Sequence, residues 1–286
     1  MSNDDKTVIL LIDGNNIAFR AASILPVDVL DSDDTRQADR MVSKRVNIMR
    51  ALYADVIPVY FFDEPRNNFM PFDARINRKH EDTDYKANRR KPGDDNLTRL
   101  RAIWIQRWMQ AKYSDNQHVL AYPGAEADDM IAYASSAITS NGSKDLLTAI
   151  WSADKDLLQC VNDANGVYQI RKKPGSKDEV KYTESTVFDV KGVPPSKIRM
   201  QLALQGDSAD GYHGVNGYGA KRGLKLINDS DSFDDIINAL PDSEELLREN
   251  WILAGMGKDY LPTNAITRVN NVMNAIIQYK HMQCVL

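Results

Sequence analysis

Apolar and polar positions follow two regimes along this chain. Thr7 to Ile12 (TVILLI) is an unbroken, largely β-branched apolar run that ends abruptly at Asp13-Gly14-Asn15-Asn16. Such a run, bounded by turn residues, predicts a strand buried on both faces that delivers polar groups at its C-terminal end. The same grammar recurs. Val56 to Phe62 runs into Asp63, His118 to Tyr122 leads to Pro123-Gly124, and Leu146 to Trp151 leads to Ser152-Ala153-Asp154. Between these runs the apolar residues return at helical spacing, over Arg40 to Ala54, Leu97 to Lys112 and Glu126 to Ile138. Strands alternating with helices predict an α/β fold, a mostly parallel central sheet flanked by helices, and ligands of such sheets gather at the carboxyl ends of the strands. After Gly192, Val193-Pro194-Pro195 opens a stretch with helical spacing and little strand signal. The expected division is therefore a core over residues 1–190 and a helical subdomain over 191–286, with one long polar connection over about 64–96.

Composition narrows the class. With 43% hydrophobic and 27% charged residues among 286, the chain has the make-up of a folded globular protein, not a disordered one. No apolar run approaches the roughly 20 residues of a membrane span. The start, MSNDDK, lacks the basic flank of a signal peptide, so cytoplasmic residence is the expectation. Cys160 and Cys284 stand far apart and outside any Cys/His cluster, which argues against structural zinc or a disulfide framework. A net charge of -4 argues against coating nucleic acid by bulk electrostatics. Local charge says something different. Between Arg66 and Lys112 twelve basic residues face six acids, and Tyr85-Lys86-Ala87-Asn88-Arg89-Arg90 sets an aromatic platform among cations, as single-strand binding requires. A solvated charged helix is the plainer reading of the same residues.

Acidic residues stand at the predicted strand ends: Asp13, Asp63, the trio Glu126, Asp128 and Asp129, then Asp154 and Asp156. One such acid is most simply a helix cap or turn residue. As a set they need another explanation. Two carboxylates about 4 Å apart repel by roughly 4 kcal/mol at an effective dielectric near 20, so a gathering of seven requires cations. Oxygen-rich sites suit Mg²⁺ or Mn²⁺, and a pair of such ions can drive phosphodiester hydrolysis. Asp207 and Asp210, three apart in QGDSADGYHG, can share one side of a helix or turn and extend the set.

His213 to Gly223 (HGVNGYGAKRG) reads as a glycine-spaced hairpin, with Gly214, Gly217 and Gly219 followed by a helix carrying Lys221, Arg222 and Lys225. Glycines allow close backbone approach, and a helix N-terminus offers amides to an anion. The glycine order is wrong for a dinucleotide fingerprint. A plain helix connection is the simpler alternative.

Taken in order, LLIDGNN, FFDEP, DYKANRR, GAEADDM, SADKDLLQ, GVPPSKI and QGDSADGYHGVNGYGAKRG resemble the motifs of the 5′-nuclease superfamily, which comprises flap endonucleases, bacteriophage 5′→3′ exonucleases and the 5′-nuclease domain of bacterial DNA polymerase I. The resemblance spans nearly the whole chain. It implies a PIN-like nuclease core, a helical arch over about 64–112 and a C-terminal helix-hairpin-helix subdomain. It implies two Mg²⁺ or Mn²⁺ ions, the first held by Asp13, Asp63, Glu126 and Asp128, the second by Asp154, Asp156, Asp207 and Asp210, with Asp129 assisting through water. Asp128 and Asp154 would be central to catalysis. Lys86 would reach the scissile phosphate from the arch, Tyr85 would stack on a terminal base, Arg89 and Arg20 would contact phosphates, and the hairpin with Lys221 and Arg222 would grip duplex backbone, in the family often with K⁺ on loop carbonyls. The expected activity is metal-dependent 5′→3′ exonuclease and 5′ flap endonuclease action that leaves a 5′-phosphate and a 3′-hydroxyl. The expected partner is DNA with a flap, nick or free 5′ end, or an RNA–DNA hybrid. A monomer is expected, and the C-terminal IIQYKHMQCVL lacks the family's sliding-clamp motif.

Three other readings compete. A PIN-type ribonuclease shares the acids but lacks the hairpin. A catalytically silent flap or single-strand binder predicts lost second-site acids. An aspartyl phosphatase wants Asp-x-Asp after the first strand, where position 15 is asparagine.

Overall fold

The computed structural model describes residues 5–24, 32–64, 97–114, 118–139, 145–173, 175–176 and 178–283. Tyr85, Lys86 and Arg89, with most of the expected arch, lie outside the described residues.

The main sheet runs in the order β3-β2-β1-β4-β5-β6, from β1 (Thr7–Asp13), β2 (Asp55–Asp63), β3 (Val119–Tyr122), β4 (Leu146–Trp151), β5 (Val167–Lys172) and β6 (Glu179–Tyr182). All pairs are parallel except β5 with β6. Three helices lie along one face: α1 (Gly14–Ala22), α2 (Ser32–Arg50) and α3 (Leu97–Tyr113). The other face carries α4 (Ala127–Thr139) and α10 (Thr263–Gln283). The alternation of β1 builds both layers at once. Val8, Leu10 and Ile12 pack with Ile17, Val42 and Ile105 on the first face, while Ile9 and Leu11 pack with Met130, Ile131 and Val269 on the second. Because the chain steps from β1 outward through β2 and β3 and then returns to the other side of β1 as β4, the sheet has its switch point between β1 and β4. Crevices at such points are where ligands of wound sheets bind.

The remaining helices are α5 (Glu184–Lys191), α6 (Ile198–Gln205), α7 (Arg222–Asp229), α8 (Phe233–Ala239) and α9 (Glu244–Ala254), with a two-residue ladder of β7 (Gly206–Asp207) and β8 (Tyr212–His213) between α6 and α7. They share a separate core that includes Val187, Ile198, Leu204, Ile227 and Leu247. The expected division at residue 190 is crossed by α10. Its Ala265, Val269, Val272, Met273, Ile276 and Ile277 recur at helical spacing and are buried in the core of the sheet, against β1, β2 and α4. The sequence shows that α10 has an apolar face; the structure shows that the sheet, not the helical cluster, covers it. Strands β5 and β6 are also unanticipated, and Glu179 on β6 proves important below. Among the described residues no helix is long and apolar enough to cross a membrane.

Candidate metal centre and active site

The strand ends place the acids, and backbone amides fix how they point. Asp13 caps α1 by accepting from the Asn16 amide at 2.9 Å, and its second oxygen accepts from Ser152 Oγ at 2.6 Å. That bond follows from register, since Ile12 lies opposite Trp151 and the next residues on each strand meet across the switch point. Gly14 is required by the same packing, because a Cβ there would lie 2.1 Å from the buried Phe62 ring. Asp63 accepts from the Ala127 amide at 2.7 Å, joining the end of β2 to the start of α4, and its own amide donates to Asn15 Oδ1 at 3.2 Å. The side-chain amide of Gln106 on α3 donates to its carbonyl. Asp154 sits on a loop held by Ser152 Oγ, which accepts from its amide at 3.0 Å, and by Gln169, whose amide donates to the carbonyls of Ser152 (3.0 Å) and Asp154 (2.6 Å).

Two groups of carboxylates converge closely. Oxygen atoms of Glu126, Asp128 and Asp129 lie within 4.8 Å of one another, and so do those of Asp156, Asp207 and Asp210. Asp129, in the first group, also makes a structural contact. It is fully buried, and one oxygen accepts from the Gly257 amide at 3.1 Å, so it ties α4 to the segment leading into α10. The second group is assembled by the β7–β8 ladder. Gly206 adopts φ +74°, where a Cβ would meet the Gly214 amide nitrogen at 2.3 Å, and Asp207 Oδ1 accepts from the Ala209 amide at 2.9 Å. A cavity of about 240 Å³ lies over this group, lined by Asn16, Asp154, Lys155, Asp156, Asp207 and Asp210.

The electrostatics are those of a site built for cations. Burial pushes Asp13 up to about 6; the Ser152 and Asn16 bonds oppose the rise, and the charges of Asp154 and Asp63 add to it. Asp156 is pushed up to about 7 by burial and by Asp154, Asp207 and Asp210, against the pull of Lys155. Its Oδ1 is buried without a hydrogen-bond partner, as is Asn16 Oδ1. Orphaned buried oxygens of this kind call for a ligand, and an all-oxygen donor set suits a hard divalent ion.

A pH dependence follows. Unfolded, both aspartates titrate near the ordinary 3.8. Between that value and about 7 the native protein therefore holds protons that the unfolded chain has released, and its stability declines as pH rises through this window. Thermal melts in EDTA should give a higher Tm at about pH 5 than at about pH 8 from these groups, and Mg²⁺ should recover the difference at the higher pH. A Tm in EDTA that rises between those two values would contradict the assigned burial.

Of the residues expected to touch DNA, Arg20 is held by Glu179. Its Nη1 donates to Glu179 Oε1 at 2.8 Å, Arg45 pairs with the other oxygen, and Trp151 Nε1 donates at 3.2 Å. Glu179 stays ionised below its usual range. Burial opposes this, but the charge of Arg45 and the bonds from Arg20 and Trp151 prevail. The three glycines also divide. Gly214 is a packing residue, since a Cβ there would lie 2.2 Å from the Gln205 backbone, while nothing approaches within 4 Å of the Cβ position at Gly219. Gly217 turns the exposed hairpin at φ +81°. Lys221 and Arg222 are exposed at the start of α7, with the Arg222 guanidinium 4.3 Å from the Tyr218 ring centroid.

This architecture is shared with the flap endonucleases. The flap endonuclease of bacteriophage T5, solved with DNA and metal ions, aligns over 95% of this chain and 99% of its own with a TM-score of 0.73 at 18% identity. In sequence, residues 8–192 match the family described as 5′-3′ exonuclease, N-terminal resolvase-like domain, and the chain belongs to that family. Relatives include DNA polymerase I of Mycobacterium tuberculosis, 29% identical over 246 residues, and the 5′-3′ exonuclease of Aquifex aeolicus, 33% identical over 189. The alignment with the polymerase covers 82% of this chain but 24% of that protein, so the chain spans about a quarter of the length of such relatives. The Aquifex alignment covers 65% of this chain and 60% of its counterpart.

Proposed function

We propose that the protein is a divalent-metal-dependent 5′→3′ exonuclease and 5′ flap endonuclease that hydrolyses phosphodiesters near the 5′ end of branched or nicked DNA, leaving a 5′-phosphate and a 3′-hydroxyl. The observation that carries this reading is the convergence, at one switch point, of two carboxylate groups that include a buried oxygen with no hydrogen-bond partner. Asp13, Asp63, Glu126 and Asp128 would hold one ion, and Asp154, Asp156, Asp207 and Asp210 a second. Bound there, Mg²⁺ or Mn²⁺ would supply an activated water and charge neutralisation at the leaving oxygen. The chain's own part is orientation: Ser152 and Gln169 fix the Asp154 loop, Asn16 and Ser152 fix Asp13, and the Ala127 amide fixes Asp63. Topology supports the role assigned to the basic segment. The basic segment leaves the end of β2 beside Asp63 and leads into α3, whose Gln106 donates to the Asp63 carbonyl.

The exposed hairpin before α7 suits a helix-hairpin-helix grip on duplex backbone, with Gly217, Gly219, Lys221 and Arg222 facing phosphates and K⁺ as a ligand of loop carbonyls. Lys221→Ala should then weaken duplex binding and reduce the slope of log affinity against log salt by about one; titrations giving identical slopes would remove this contact. The reading as a whole is tested by mapping products from a 5′-labelled flap with and without Mg²⁺. Cleavage near the junction only with metal supports it. Binding without cleavage at any metal concentration would leave a flap-binding protein instead.

A further inference from the structure

Lys155 stands in sequence between two of the acids and reaches into the second carboxylate group. Its ammonium lies 2.6 Å from Asp207 Oδ2. Asp207 is nearly inaccessible, with a side chain 3% exposed, whereas the lysine side chain is 38% exposed and enters the cavity from its rim. Because Asp207 Oδ1 is taken by the Ala209 amide, Oδ2 is the oxygen left for a cation. Burial pulls the lysine down, but the bond to Asp207 and the charges of Asp207, Asp156 and Asp210 outweigh it and hold the ammonium above the usual lysine range.

We propose that Lys155 is a built-in counter-ion of the second carboxylate group, which a divalent ion must displace from Asp207 in order to bind. This rests on the divalent-ion reading of the acids given above. An ammonium and a divalent cation on one carboxylate oxygen repel each other, so the two occupants are alternatives. The exchange is geometrically easy, since the flexible four-carbon stem is already partly in solvent and the head can swing out while the stem keeps its contacts. The lysine thus does two things. It relieves acid repulsion when no metal is present, and it lowers the affinity of the second ion by the strength of the contact that has to be broken. Retreat toward α5 is disfavoured, because the half-buried Lys191 already lies in the field of Lys155 and Arg171. The displaced ammonium therefore goes to the open mouth of the cavity.

Mn²⁺ binding to the full chain without DNA, followed by calorimetry and by electron paramagnetic resonance of the free ion, tests this in the wild type, Lys155→Gln and Lys155→Arg. The glutamine variant should bind its second Mn²⁺ about tenfold more tightly, the order of effect expected from removing one close, partly screened ion pair. Its Tm in EDTA should fall and its Tm gain on adding Mn²⁺ should grow, while the arginine variant stays near the wild type. Unchanged or weaker second-ion binding in Lys155→Gln, with two ions still bound by the wild type and one lost in Asp207→Asn, overturns the counter-ion alone. No bound ion in any of the proteins overturns it together with the metal reading beneath it.

Discussion

Replacing Asp154 by asparagine should lower the single-turnover cleavage rate on the order of a thousandfold or more, while a 5′ flap is still bound. The substitution is close to isosteric and leaves an Oδ1 that can go on accepting from the Asp156 amide, a bond of 2.8 Å in the native protein. The contacts that fix the loop, from Ser152 and Gln169, involve backbone atoms of residue 154 and survive unchanged. What goes is one negative charge, and that charge helps to raise both Asp13 and Asp156. Its loss should therefore make the metal-free protein no less stable, as is common where a functional site stores repulsion. Melting curves in EDTA supply the control. A Tm at or above the wild-type value with cleavage abolished is the expected pair of results, and full activity in the variant would remove Asp154 from the centre.

The second large effect is expected at Lys86, which the family resemblance brings to the scissile phosphate. Lys86→Ala should slow the single-turnover rate by about a hundredfold and change flap affinity far less, because a cation that meets charge developing in the transition state contributes to rate more than to binding. The basis is the excess of basic over acidic residues between Arg66 and Lys112 and the departure of that segment from the end of β2 beside Asp63. Rapid-quench kinetics at saturating enzyme measure it directly. An unaltered rate would assign Lys86 to the solvated surface.

The parts of the fold legible in sequence were those whose burial leaves a strong pattern. Strands β1, β2 and β4 are largely buried on both faces, so their apolar runs mark them to within a residue or so, and β3, with only Leu120 buried, is marked by the turn Pro123-Gly124 that follows it. Strand β5 is buried over Val167–Ile170, but the polar Gln169 and the charged Arg171-Lys172 shorten its apolar run, and β6 carries less of a mark still. Glu179-Val180-Lys181-Tyr182 is short and half charged, as befits an edge strand, and missing it concealed the partner that holds Arg20 and Arg45. The apolar face of α10 was legible, but its docking onto the sheet was not, because periodicity shows that a face is buried without showing by what. Ser152 and Gln169 escaped for a different reason. Each is a single polar residue whose importance lies in which carbonyl or carboxylate it meets, and only the register of β1 against β4 and of β4 against β5 makes those meetings. Asp129 carries a second task that its place among acids does not reveal, since one of its oxygens accepts from the Gly257 amide and ties α4 to the segment before α10. Lys155 lies inside the SADKDLLQ motif, but a cation among acids has no meaning until its distance from Asp207 is known.

Acids from separate segments are proposed to form paired sites for divalent ions at the switch point of the sheet. Anomalous diffraction from crystals grown with Mn²⁺ and a non-cleavable flap tests it most directly. Two peaks are expected, one among Asp13, Asp63, Glu126 and Asp128 and one among Asp154, Asp156, Asp207 and Asp210 with Lys155 withdrawn from Asp207. Maps without manganese peaks at this edge, with the carboxylates engaged only by lysines, arginines and backbone amides, would contradict it.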